Sequence, residues 1–163
     1  MYVKKKDGSL EPLDVNAIHQ ACEEAIRSVV PADSVESYLS DLEVSAHLQF
    51  YDGISTSEIQ TALITAAADK IDVDCPEWSR IAAQLLLRTI YKKSKYKDLA
   101  TYMRAEKHLF FKDPEKEFNL DLLSEHVMRT HKEVDRDFEY LGLKILHDRY
   151  LLRNYDRELL ETP

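Results

Sequence analysis

Glycine is scarce in this sequence: Gly8, Gly53 and Gly142 are the only ones in 163 residues, and proline is infrequent. That scarcity disfavours a loop-rich or mainly β chain and points to helices joined by short connections. Cysteine is limited to Cys22 and Cys75. The pair makes neither a disulfide framework nor a metal-ligand spacing, and both fall in helical or pre-helical contexts, so buried free thiols are expected. Basic charge is in deficit, with 22 Lys+Arg against 30 Asp+Glu and a formal charge of −8. A nucleic-acid partner is therefore not expected, because a phosphate backbone needs a broad basic surface. A small anion held by a local basic cluster remains open. The sequence has no signal peptide and no apolar run of membrane-spanning length, so a cytoplasmic protein with no membrane partner is expected. What it has in quantity is apolar side chain, 44% of residues, enough for a core in one or two small domains.

The chain opens with "YVKKKDGSLEPL", two short runs around Asp7-Gly8, a dipeptide suited to a two-residue hairpin turn. Pro12 in the returning run suits an edge strand, since it cannot donate to a ladder. Asp14 is placed to cap a helix whose stripe is Val15, Ile18, Cys22, Ala25, Ile26 and Val29, ending at Pro31. Asp33 and Glu36 approximate a capping box for a second helix with Val35, Tyr38, Leu39, Leu42 and Ala46 on one side. "YDGIS" is a turn, and Ser55 with Glu58 makes a full capping box for a third helix through Ile59, Ala62, Leu63, Ala66 and Ala67. A fourth starts at Pro76 and runs through Ile81, Ala82, Leu85, Leu86 and Ile90 into the basic "YKKSKYK". Residues 1–95 thus form one expected domain. Residues 96–163 form a second, with a connecting helix and loop, two amphipathic helices and a closing hairpin in "YLLRNYDRELLETP".

No Ser-His-Asp, Cys-His or paired-carboxylate arrangement follows from the spacing, and no catalytic residue is assigned. His126 and His131 are five apart, wrong for one helix face, so a metal site is not expected. There is no phosphate loop and no dinucleotide fingerprint. What remains is the basic hairpin. Strand alternation puts Lys5 on the face of Val3 and turns Lys4 and Lys6 the other way. With a two-residue loop, Lys4 would lie opposite Glu11. Spacing leaves two readings open: lysines that keep a sheet edge soluble, or lysines that reach a polyphosphate. For the second, the helix start at Ser55-Thr56-Ser57 offers backbone N–H groups, and Lys92 and Lys93 close the fourth helix.

Three blocks carry a resemblance: "VKKKDGSLEPLDVNAIHQA", "HLQFYDGISTSEIQTALITAAADKI" and "CPEWSRIAAQLLLRTIYKK". In order and content they resemble an ATP-cone domain, and more narrowly the N-terminus of the large subunit of class I ribonucleotide reductase. "DRDFEYLGLKILHDRYLLRNYDRELLETP" is similar to the stretch that leads towards that family's catalytic barrel. The resemblance implies a mainly α fold, with a hairpin over a four-helix cone, then further helices and a second short hairpin.

The same resemblance implies ATP or dATP as an allosteric effector, with Mg2+ as an admissible companion, and no redox cofactor in this stretch. Lys5, Lys6 and Lys92 would meet the phosphates. Glu11 and Asp14 would read the adenine edge, with Val3 and Ile18 packing on the ring. Thr56 would meet the sugar or phosphate region near Phe50. Pro12, Leu13, Val15, Asn16 and Ala17 would complete the binding segment, with Gln60 and Arg88 beside it. The implied partners are the rest of the large subunit, which carries the barrel, and a radical-generating small subunit. Cys22 and Cys75 match none of the family's radical or redox cysteines, so a regulatory N-terminal piece without activity of its own is expected. A repressor family also carries cones, but behind a Cys-rich zinc ribbon that does not stand before Tyr2. The remaining alternative is a helical interaction module with a decayed cone. Three departures keep it open: Ala17 for a common Lys, Gln60 for a common His and Arg88 for a commonly aromatic residue.

Overall fold

Short-range hydrogen bonding closes the turn of the opening hairpin in the computed structural model, which describes residues 1–163 except Lys6 and the side chain of Lys132. Lys5 N–H donates to the Ser9 carbonyl at 2.9 Å, and Gly8 N–H donates to the Lys5 carbonyl at 3.0 Å. Strand β1 (Tyr2–Lys4) pairs antiparallel with β2 (Leu10–Pro12), Val3 opposite Glu11 and Lys4 opposite Leu10. This register is one residue off that of a two-residue loop, so Lys4 does not face Glu11. Gly8, at φ 88°, supplies the left-handed position that lets the longer turn close.

The chain forms two compact units, Met1–Leu86 with Glu139–Leu141, and Leu87–Phe138 with Gly142–Pro163. In the first, the hairpin is followed by α1 (Val15–Arg27), α2 (Val35–His47), strand β3 (Ile54–Ser55), α3 (Thr56–Ala68) and the first part of α4 (Glu77–Lys93). Strand β3 was not expected from the sequence. It runs parallel to β1 and gives a sheet of order β2-β1-β3. Asp14 caps α1 by accepting from Ala17 N–H at 3.0 Å. Ser55 and Glu58 form the expected capping box of α3. Helix α2 differs: its cap position is Ser34, whose backbone is helical (φ −96°, ψ −14°) in the turn closed by Ser34 N–H on the Pro31 carbonyl at 3.0 Å, rather than extended as a side-chain cap needs, and it makes no side-chain bond.

Apolar stripes of the four helices meet in one core. Cys22, Ile26, Leu42, Ile54, Ile81 and Ala67 lie in it with almost no exposure, joined by Val3, Leu39, Ile59, Leu63 and Trp78. Burying one such large aliphatic side chain favours folding by about 1.5–3 kcal/mol, so this cluster rather than the three short strands holds the unit together. Cys22 is a buried free thiol as expected, whereas Cys75 is only half-buried. Trp78 packs against Tyr38 with ring centroids 5.0 Å apart, and the Lys70 ammonium lies 5.5 Å over its ring. Tyr140 packs against the same core and its N–H donates to Ser79 Oγ at 3.3 Å.

The second unit holds the end of α4, then α5 (Leu99–Ala105), α6 (Pro114–Glu117), α7 (Leu120–Asp135) and the last four residues of α8 (Tyr140–Ile145), with a π-helical turn at Leu146–Tyr150. Tyr91, near the end of α4, donates its hydroxyl to Asp135 Oδ2 at 2.6 Å. Helix α7 is less amphipathic in use than in sequence: Leu120 is buried with the polar Ser124 and Asp135, while Leu122, Leu123, Val127, Met128 and Val134 are exposed. The closing hairpin is narrower than expected. Its strands reduce to one antiparallel bridge, Arg153 to Leu159, around a turn with Arg157 at φ 63°. The returning segment donates Leu160 N–H to the Leu152 carbonyl across the hairpin and is held on its other side by Lys95 and Tyr96, whose N–H groups donate to the Leu159 and Leu160 carbonyls. The expectation of a mainly helical chain opened by a hairpin and four helices matches the described residues.

Candidate functional site

The "YDG" turn is built against the first strand. Tyr2 N–H donates to Asp52 Oδ1 at 2.7 Å, and Gly53 N–H donates to the Tyr2 carbonyl at 2.9 Å with Gly53 at φ 84°. A residue with a Cβ is strained at that φ, so the turn needs its glycine. These bonds bring β3 beside β1, with Val3 paired to Ile54 and Lys4 to Ser55. Ser55 is the cap of α3, so the basic hairpin arrives at the positive end of a helix. Lys5 is one residue beyond the last paired couple, and Thr56 is its counterpart on the other chain segment.

Within the hairpin, Lys5 Nζ lies 2.9 Å from Glu11 Oε2, with the two side chains 43% and 55% exposed. Glu11 is opposite Val3, and Lys5 is two residues on, so the pair is a diagonal cross-strand contact on the side where Val3 is buried. Leu13, Ile18 and Phe50 are half-buried and pack against the first unit's core, of which Val3 is part. Val3 itself is 4% exposed and leaves little area for a ring. Glu11 and Pro12 are on β2, and Asp14, Val15, Asn16 and Ala17 follow on the exposed first turn of α1. One Asp14 oxygen is committed to the Ala17 N–H. Thr56 and Gln60 stand one turn apart on α3, both half-buried.

Two donors at the start of α3 are taken by its own residues. Glu58 Oε2 accepts from Ser55 N–H at 2.8 Å, and Ser55 Oγ accepts from Glu58 N–H at 3.2 Å. The Ser55 hydroxyl, then the Ser55 N–H, then the Tyr51 hydroxyl hold the Glu58 carboxyl below its ordinary pKa. An anion at this helix start therefore meets an ionised carboxylate as well as the helix dipole. Spacing alone identified the capping box; that its carboxylate would compete for the same donors needed the Tyr51 hydroxyl, which donates to Glu58 Oε1 at 2.8 Å. Arg88 is half-buried and Lys92 exposed on the last turns of α4, in the second unit. Lys6 lies outside the described residues.

The hairpin, the "YDG" turn and the capped α3 coincide with the span of a known family. A model of the ATP cone domain matches residues 1–93. The chain belongs to the ATP-cone family. Beyond the cone, similarity continues to the end of the chain. It is 39% identical over 168 aligned positions to the ribonucleoside-diphosphate reductase subunit alpha of Helicobacter pylori strain 26695, covering 99% of this chain and 20% of that one. The ribonucleoside-diphosphate reductase 1 subunit alpha of Escherichia coli K12 is 32% identical over 167 positions, covering 94% of this chain and 20% of its own. The chain thus spans about a fifth of the length of these relatives.

Proposed function

We propose that this chain is the N-terminal allosteric part of the large subunit of a class I ribonucleoside-diphosphate reductase, and that its cone binds ATP or dATP as effector. The observation that carries the reading is the extent of the similarity: it covers 99% of the chain and so runs past the cone into residues that a free-standing cone would not need. Residues 1–95 are the regulatory domain in this reading, and residues 96–163 begin the helical region before the catalytic barrel. Lys5 meets the phosphates and Glu11 accepts from the adenine amino group, with Ile18 packing on the ring and Phe50 near the sugar, as the family resemblance implies. Thr56 and Gln60 face the sugar. Lys6, Asp14, Arg88 and Lys92 are carried over from the family resemblance alone. Charge-assisted contacts to phosphate supply affinity, while a carboxylate aimed at an amino donor rejects bases that lack one. In this reading Mg2+ accompanies the phosphates. The partners are the rest of the large subunit and a radical-generating small subunit, in the cytoplasm.

Calorimetric titration of the chain with ATP, beside Lys5→Ala and Lys92→Ala, tests the reading. Binding is expected in the parent and at least about ten-fold weaker binding in each variant, since a charge-assisted hydrogen bond contributes about 1.5–3 kcal/mol. No binding heat in the parent would favour a cone that has lost its nucleotide.

A further inference from the structure

The two side chains given opposite duties in the proposed site hold each other. Lys5 Nζ and Glu11 Oε2 are 2.9 Å apart. In a nucleoside triphosphate the amino edge of the base and the phosphates are separated by the sugar and most of the ring. One bound nucleotide cannot place both at a single ion pair, so the pair must part for Lys5 to meet phosphate and Glu11 to meet the base. We propose that the Lys5–Glu11 pair is a specificity gate, which opens at low cost only for a ligand that offers an anion to Lys5 and a hydrogen-bond donor to Glu11 together. The inference rests on the nucleotide reading above and adds to it a physical basis for selecting the whole nucleotide over its parts.

The energetics follow from the geometry. An inorganic triphosphate satisfies Lys5 but leaves Glu11 without its cation and beside new negative charge. Adenosine that draws the Glu11 carboxylate away to its amino group leaves Lys5 without an anion. Only the complete ligand replaces both ends of the broken pair. The pair is about half exposed, so the penalty imposed on a half-ligand is modest, about two- to five-fold in affinity. Lys4 is not in this contact: it is paired to Leu10 and Ser55 on the neighbouring strands and alternates away from the Val3 side.

The test uses the whole chain and three ligands: ATP, tripolyphosphate and adenosine. Titrations followed by NMR read the weak binding of the last two. In Glu11→Gln, tripolyphosphate binding should tighten about three-fold while ATP binding weakens. In Lys5→Met and in Lys5→Gln, adenosine binding should tighten about three-fold while ATP binding weakens. The adenosine arm is decisive. Adenosine is uncharged, so general removal of positive charge does not attract it, and a gain shared by Lys5→Met and Lys5→Gln, the second of which adds no apolar surface, is explained by release of Glu11. Both side chains are on the surface of a short hairpin, and unchanged amide spectra away from the hairpin will show that the variants keep the fold. ATP binding to the parent with no adenosine gain shared by the two Lys5 variants overturns the gate and leaves the nucleotide site standing. Failure of the parent to bind ATP overturns both.

Discussion

Gly53 and Gly142 carry the same side chain, a hydrogen, for unrelated reasons. Around a Cβ built on either there is nothing within 4 Å, so neither is kept by crowding. Gly53, however, sits at φ 84° in the turn that docks on Tyr2. Gly53→Ala should therefore destabilise the first unit by about 1–2 kcal/mol through backbone conformation alone. Gly142 is exposed within α8 and has no such φ, so Gly142→Ala should stabilise by up to about 1 kcal/mol. Urea titrations of the two variants would check the opposite signs. A loss of stability at Gly142 would reveal a contact that the geometry does not show. The Gly53 requirement was partly legible in the sequence, because aromatic-Asp-Gly before a capping box announces a turn. Its second duty, feeding β3 to β1, was not. Two residues of strand are too few for any periodicity to register.

Elements closed by local chemistry were the legible ones. Asp14 and Ser55 act within three residues of themselves, and at these two helices the expected cap is the observed one, whereas the Asp33–Glu36 box expected for α2 is not formed. Features decided at longer range were missed: the hairpin register differs from that of a two-residue loop, and α7, expected only as an amphipathic helix, leaves five apolar side chains exposed. The candidate site divided the same way. Sequence pattern named Lys5 and Glu11 separately, but only the register made them partners.

The tie from α4 to α7 was equally invisible beforehand. Burial raises the Asp135 pKa above its ordinary 3.8, against the lowering effects of the Tyr91 hydrogen bond and of His131. Burial and Asp135 also raise that of Tyr91. A raised carboxyl pKa favours folding below the unfolded value, and that contribution is lost as pH rises through the folded value. Tyr91→Phe removes a donor to the ionised form and raises the Asp135 pKa further. The variant should lose about 1–3 kcal/mol near neutrality, with the deficit shrinking as the solution is acidified towards about pH 4. Urea melts at several pH values would measure it. A deficit that grows on acidification would contradict the sign.

At the scale of the whole chain, its span of about a fifth of its relatives governs what activity to expect. Ribonucleotide reduction should be absent from the purified chain with a small subunit, and should appear only with a chain carrying the barrel. Turnover without that chain would refute this part of the proposal. In the reconstituted enzyme, dATP should inhibit weakly, because Gln60 cannot be protonated as the family's common histidine can. Strong inhibition at ATP-activating concentrations would show that Gln60 is no handicap. The chain also contains its own optical probe. Trp78 is the single tryptophan of the sequence and is 5% exposed in the core of the first unit. Its near-ultraviolet-excited emission should be blue-shifted in the native state and should redden when that unit opens. Circular dichroism, by contrast, sums the helices of both units. A fluorescence melt thus isolates the cone without dissecting the polypeptide. A nucleotide that binds there should delay the reddening, even if the helical signal of the remaining residues fades at an unchanged temperature.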